Sequence, residues 1–279
     1  MKILIVGHSV FDIISFSGKQ VFSPGGIFYS AQQLLKISFP DDELFICTQI
    51  DDNSKEHFLP IYSEFKTEFI EKVDSIPSVK LILDNSSERK EIYFNTPSKL
   101  NINKINFSDF DAILINMITG NDITAEDLKL IRSQTSGIIF FDVHTLSRPM
   151  NQSGERIFSQ INNYEEWVKN IDILQTNENE FETLGVFQSE MERVNNLFEI
   201  GVKIILLTKG LNGSKVFYKK DNEIKSYFIS AKEIQTFNTV GCGDTFGVTF
   251  FYNYIRTKNV YHSLSEAVEK TEEFLMKRS

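Results

Sequence analysis

Asn238-Thr-Val-Gly-Cys-Gly-Asp-Thr-Phe246 is the stretch on which the reading of this chain turns. Gly241 and Gly243 flank one small residue, Asp244 follows, and Phe246, Val248, Phe250 and Phe251 then form an apolar run. Glycine admits positive φ and lets backbone come close to a ligand. An apolar run after such a turn predicts a buried helix whose first N–H groups lack intrahelical partners. Those amides and the helix dipole favour an anion, most often a phosphate. Asp244 would repel that anion unless it has work to do there. The fitting work is to take a proton from an attacking hydroxyl while the amides hold the developing charge. The competing reading is a glycine-rich turn whose aspartate only caps a helix. The nonapeptide alone leaves both open.

Working outward, each neighbouring segment ends in a polar cluster. Lys203 to Leu207 reads as a strand ending in Thr208-Lys-Gly-Leu-Asn-Gly213, followed by hairpin strands at Lys215 to Tyr218 and Ile224 to Ile229. Ile171 to Leu174 is a strand ending in Gln175-Thr-Asn-Glu-Asn-Glu180. Gly137 to Phe141 ends in Asp142-Val-His-Thr145, with helical sequence expected from there through Trp167. Ala112 to Ile115 precedes a helix announced by the capping box Thr124-x-x-Asp127, and Ser263-x-x-Glu266 announces the last helix. Near the start, Lys2 to Val6 is an apolar strand stopped by Gly7, with Asp12 a few residues on. Pro24-Gly25-Gly26 opens a segment with Ile27, Ala31, Leu34 and Leu35 at helical spacing, and Leu44 to Ile50 is another strand.

Strands alternating with helices predict an α/β fold with a mostly parallel sheet covered on both faces. Two stretches break the rhythm. Residues 13 to 22 alternate loosely around Ser17-Gly18, and Thr67 to Asn95 holds short extended pieces about the polar turn Asp84 to Arg89. A small sheet set into an α/β body suits a lid; the competing reading is a surface hairpin. No repeat, low-complexity tract or linker divides the chain, so residues 1–279 are expected to form one domain.

The bulk properties exclude whole classes. A net charge of −9 argues against a general nucleic-acid binder, which would carry a basic face. Cys47 and Cys242 form neither a disulfide framework nor a zinc spacing, so a reducing cytoplasm is the expected setting. No apolar stretch approaches membrane-spanning length. After Gly7 no dinucleotide fingerprint follows, and Phe11 stands where a nucleophile elbow needs glycine.

Asp12, Asp142, Asn177 with Glu180, Thr208 with Gly210, and the glycine turn each follow a predicted strand. The crevice outside the carboxyl ends of strands is where open α/β sheets bind ligands. Singly, each has an ordinary structural reading: Asp12 as a turn aspartate, His8 and His144 as satisfied histidines, Arg89 as a solvated charge, Trp167 as core. Five in succession are harder to assign to chance.

On these residues the chain resembles the ribokinase-like family, the phosphofructokinase-B type of carbohydrate kinases, over nearly its whole length. Gly241-Cys-Gly-Asp244 is similar to the G-A-G-D signature, with Cys242 for alanine. The resemblance implies that the amides of Gly241, Cys242 and Gly243 form an anion hole and that Asp244 is the catalytic base. Asn177-x-x-Glu180 resembles the N-x-x-E motif, which implies that Asn177 and Glu180 hold Mg²⁺ and phosphate largely through water. Thr208, Gly210 and Gly213 resemble the nucleotide-site motif. Asp12, Gly25 and Gly26 resemble the elements that contact substrate hydroxyls, and 13–22 with 67–95 correspond to the lid.

The implied fold is a three-layer α/β/α sandwich with a small β-sheet lid. The implied activity is ATP- and Mg²⁺-dependent phosphorylation of a small sugar or nucleoside, with neither nucleic acid nor membrane as partner, in a homodimer joined through the lid. Three positions depart from the pattern. Ser30 replaces an asparagine, Ile50 a glycine, and Asn238 an aspartate associated with a monovalent-cation loop, so that cation is not carried over. These departures motivate an alternative: a catalytically weak or inactive relative that binds nucleotide or metabolite in a regulatory role.

Overall fold

The computed structural model describes residues 1–16, 19–83, 90–234, 236 and 238–278. The first strand, Lys2–Val6 (β1), sends Ile3 and Ile5 into one apolar core and Leu4 and Val6 into another. Period-two alternation with both faces apolar is what a strand inside a parallel sheet requires.

From β1 the chain passes directly into a second sheet through Ser9–Phe16 (β2) and Lys19–Gly26 (β3), an antiparallel pair. It returns to the body with Ile27–Ile37 (α1), Glu43–Ile50 (β4), Lys55–Tyr62 (α2) and Ile70–Lys72 (β5). Ser78–Leu83 (β6) and Lys90–Phe94 (β7) complete the small sheet in the order β3-β2-β6-β7. The α/β rhythm then runs through Ala112–Asn116 (β8), Ala125–Gln134 (α3), Ile138–Asp142 (β9), Tyr164–Val168 (α4), Ile173–Asn177 (β10), Glu178–Phe181 (α5), Glu190–Ile200 (α6) and Ile204–Thr208 (β11). Ser214–Lys220 (β12) and Glu223–Ile229 (β13) form an antiparallel edge, and Cys242–Thr257 (α7) and Val260–Met276 (α8) follow.

The large sheet has the order β13-β12-β11-β10-β9-β8-β1-β4-β5. Helices α1, α7 and α8 pack through Ala31, Leu34, Val248, Phe250, Phe251 and Leu264 on the face with Ile3 and Ile5. Helices α3, α4 and α6 cover the other through Leu128, Ile131, Val168, Val194 and Leu197. The fold is the ribokinase-like three-layer α/β/α sandwich with a separate small sheet. The chain leaves β1 toward β4 and β5 on one side and returns through β8 to β11 on the other. Strand order therefore reverses between β1 and β8, and the crevice at such a reversal is where open α/β sheets bind ligands.

Several local expectations need correction. Residues 70–72 pair with β4 at the edge of the large sheet, so the second part of the small sheet begins at Ser78 rather than near 67. The turns at Ser17-Gly18 and Asp84 to Arg89 lie outside the described residues. Between Asp142 and Trp167 only a short 3-10 turn, His144–Ser147, precedes α4. Pro149 disfavours helix in the residue before it, and Gly154 has φ +81. Helix α8 starts earlier than Ser263: Asn259 caps it by accepting from the His262 amide at 3.0 Å. The capping box at Thr124 forms as expected, with both reciprocal bonds to Asp127 present.

Candidate active site

Gly241 caps α7 with φ 84, and a Cβ there would lie 2.7 Å from the Tyr29 ring, so both conformation and space demand glycine. The first bond of the helical ladder runs from the Thr245 amide to the Gly241 carbonyl, which puts the Gly243 and Asp244 amides ahead of it. The Cys242 amide departs from expectation: it donates to the Thr239 carbonyl at 3.1 Å, closing the turn on itself.

Asp244 does not serve as the cap. Its Oδ1 accepts from Asn116 Nδ2 at 2.7 Å and from Ser30 Oγ at 3.1 Å. Asn116 ends β8 beside the reversal point, and Ser30 stands in the first turn of α1. Three distant segments thus converge on one carboxylate at the crevice.

Beside it, Gln175 Nε2 donates to Asp142 Oδ2 at 2.8 Å and to the Gly243 carbonyl at 3.1 Å. This amide ties the ends of β9 and β10 to the first turn of α7. Burial, and after it the charges of Glu180 and Asp244, push the Asp142 carboxyl up to about 7. Such a group is poised to ionise when a cation arrives.

Glu180 is buried, and its two oxygens are engaged on separate sides. Oε2 accepts from the Asn177 amide at 2.9 Å while Asn177 Oδ1 accepts from the Glu180 amide at 2.9 Å, a complete capping box on α5. Oε1 receives His144 Nδ1 at 3.2 Å and Arg148 at 3.5 Å. Arg148 also lies 3.5 Å from Glu91, a buried residue of β7 in the small sheet. Burial alone would lower the His144 pKa; the hydrogen bond to Glu180 and the charge of Glu91 outweigh it and raise the value.

Asp12 lies on β2 and is 3% exposed. Gly25, on the neighbouring strand, is needed for it: a Cβ at 25 would sit 2.2 Å from the Asp12 carboxylate. Gly26 caps α1 with φ 63, and its missing side chain makes room for the His8 carbonyl. On the other side of the crevice, Thr208 pairs in register with Asn177, and Gly210 and Gly213 have φ +53 and +106 about a 3-10 turn. Gly213 packs against the end of β13, where a Cβ would meet the Ile229 carbonyl at 2.2 Å.

Asn116 and Gln175 escaped the sequence reading. Each ends or nearly ends an apolar strand, and a carboxamide in that position was the available signal. His8 proves to be a satisfied core histidine, bonded to Thr119 at 2.7 Å and to the Ser98 carbonyl at 3.0 Å. Trp167 packs on Phe141 in the core. Arg89 lies outside the described residues. No helix among the described residues is long and apolar enough to cross a membrane.

Comparison with solved structures finds the same architecture. A pyrophosphate-dependent kinase of the ribokinase family, complexed with a pyrophosphate analogue and myo-inositol, superposes with a TM-score of 0.79 at 18% identity, covering 99% of this chain and 95% of the other. Ribokinase from Thermotoga maritima gives 0.73 at 19% identity, covering 99% and 92%. Arabidopsis thaliana ribokinase, complexed with ribose and ATP, gives 0.73 at 15% identity, covering 98% and 92%. No curated protein sequence matches. These likenesses carry the fold; the family comes from the sequence itself, whose residues 62–270 match the model described as pfkB family carbohydrate kinase. The chain therefore belongs to the pfkB family of carbohydrate kinases.

Proposed function

We propose that the protein transfers the γ-phosphoryl group of ATP to a primary hydroxyl of a small sugar or nucleoside, with Asp244 as the base. The observation that carries this reading is the position of Asp244. It stands in the first turn of a helix opened by a glycine cap, at the strand-order reversal, with its carboxylate held by Asn116 and Ser30.

In this reading Asp12 binds acceptor hydroxyls and Asp244 accepts the proton of the attacking one. The amides of Gly241, Gly243 and Asp244 stabilise charge on the transferred group, which is the main demand of phosphoryl transfer. The Cys242 amide joins them only by releasing Thr239. Thr208, Gly210 and Gly213 form the nucleotide side. The small sheet covers the acceptor and keeps water out.

The donor set suits Mg²⁺ held mainly through water: Glu180 has both oxygens committed to protein donors, and Asp142 supplies a buried carboxylate of raised pKa. Bound there, Mg²⁺ would neutralise charge building on the donor phosphates. Asn177 and Glu180 would position it, and Asp142 would ionise beside it.

Two alternatives remain for experiment. Three similar structures are of pyrophosphate-dependent kinases, and Ser30 and Asn238 depart from the family pattern. Purified protein with Mg²⁺ and either ATP or pyrophosphate should be tested against sugars, polyols and nucleosides. Turnover with ATP that disappears in Asp244→Asn supports the proposal. Turnover with pyrophosphate alone replaces the donor, and binding without turnover would establish the regulatory alternative.

A further inference from the structure

Arg278 stands just beyond α8, and its Nη1 donates to the carbonyl of Val240, the residue before the capping Gly241. The guanidinium lies 4.0 Å from the ring centroid of Phe274 and 5.5 Å from that of Tyr29. Tyr29 is the ring that fills the space beneath Gly241. One cation thus grips the carbonyl of the turn while packing on the aromatic support below it.

The same end of α8 secures the approach to the turn. Thr236 Oγ1 donates to the Arg278 carbonyl at 3.4 Å, and Glu272 accepts from the Lys232 amide at 3.0 Å and from its ammonium at 2.6 Å. Within the loop, Asn238 Oδ1 accepts from the Val240 amide at 3.2 Å.

In a trans peptide the C=O and the following N–H point in opposite directions. A guanidinium that fixes the Val240 carbonyl therefore also fixes the direction of the Gly241 N–H. We infer that Arg278 is a positioning residue for phosphoryl transfer, a built-in cation that holds the Val240–Gly241 peptide in its working orientation. This rests on the kinase reading above. It carries a second consequence. The resemblance would associate a monovalent cation with an aspartate at position 238, but here the side chain is a neutral Asn238 already bonded to Val240, and the neighbouring carbonyl is taken by a fixed positive charge. The donors present do not suit an exchangeable cation, and a second positive charge beside Arg278 would be repelled.

The test compares wild type, Arg278→Ala and Arg278→Lys. In Arg278→Ala kcat should fall about tenfold to a hundredfold, the scale of misplaced catalytic groups, with the acceptor KM little changed. Guanidinium ion at low, non-denaturing concentration should restore part of the loss, whereas potassium should not. The lysine variant should retain an intermediate rate, since it keeps the charge without the planar fork. Wild-type rate should be the same in potassium, sodium or tetramethylammonium salts.

Hydrogen–deuterium exchange supplies a readout independent of turnover. Amides of 239–245 should exchange faster in Arg278→Ala, with β8 to β11 unaltered. Unchanged kcat and exchange, or faster exchange spread over the whole sheet, would overturn the assignment. Activation of wild type by potassium would overturn the cation argument. A wild type with no turnover on any acceptor defeats the kinase reading, and the exchange comparison then still decides whether Arg278 holds the turn.

Discussion

The Ser30 hydroxyl meets the Asp244 carboxylate at 3.1 Å although 214 positions separate them in the chain. Asn116 reaches the same oxygen from a third segment. The serine that replaces the family's asparagine is therefore part of what orients the proposed base. A hydrogen bond to a charged group is worth about 1.5–3 kcal/mol. Ser30→Ala should lower kcat on the order of tenfold if roughly half of that is felt in the transition state, with little change in Tm. Steady-state kinetics alongside a thermal melt would check both halves.

The two glycines of the turn should respond differently. At Gly241 a side chain meets positive φ and the Tyr29 ring at 2.7 Å, whereas at Gly243 the nearest atom is 3.9 Å away. Gly241→Ala is expected to cost about 1–3 kcal/mol of stability as well as activity. Gly243→Ala should fold normally. Urea denaturation of the two variants would show whether the asymmetry holds.

Asp142 gives the chain a pH dependence of definite sign. Its folded pKa is raised to about 7, above the value in an unfolded chain, so the native state binds the extra proton. On its account stability falls as pH rises from the ordinary carboxylate range to about 7, then levels off. Asp142→Asn should gain on wild type over that interval. Millimolar Mg²⁺ should close the gap at pH 8 by raising the Tm of wild type more than that of the variant. Thermal melts at several pH values, with and without the metal, provide the measurement.

Asp42 has the opposite sign. Burial alone would raise its pKa, but hydrogen bonds from Tyr252, the amino terminus, Arg256 and the Phe39 amide bring it down to about 2. Its side chain is fully buried, and both oxygens lie 2.6 Å from Arg256. Its contribution is present above the unfolded pKa and disappears as pH falls through about 2. Asp42→Asn should cost about 2 kcal/mol at pH 7 and almost nothing near pH 2. Urea melts across that range test it.

How much of this was legible depended on which forces place each residue. The strands that build the parallel sheet were readable because burial on both faces demands unbroken apolar runs, as at Leu4 to Val6 and Ile204 to Leu207. Gly25, Gly26, Gly241 and Asp12 could be singled out because local sequence marks tight backbone and charge. Asn116, Gln175 and Arg278 could not. Their importance lies in contacts with residues 128, 68 and 38 positions away, which no local pattern encodes. The short β5, Ile70–Lys72, lies inside the 67–95 stretch read as lid, and three residues carry too little pattern to reveal a strand that pairs with β4.

The packing of α1 against α7 has a consequence for the nascent chain. Gln33 finds its partner Thr249 only 216 positions later, and Ile27, Ala31 and Leu34 belong to the core that α7 completes. A chain emerging N-terminus first therefore displays this apolar helix face throughout most of its synthesis. Such long-range closure slows folding and leaves intermediates open to aggregation. That face is covered only once α7 has been made, so the last part of the chain to be synthesised completes the core begun by the first.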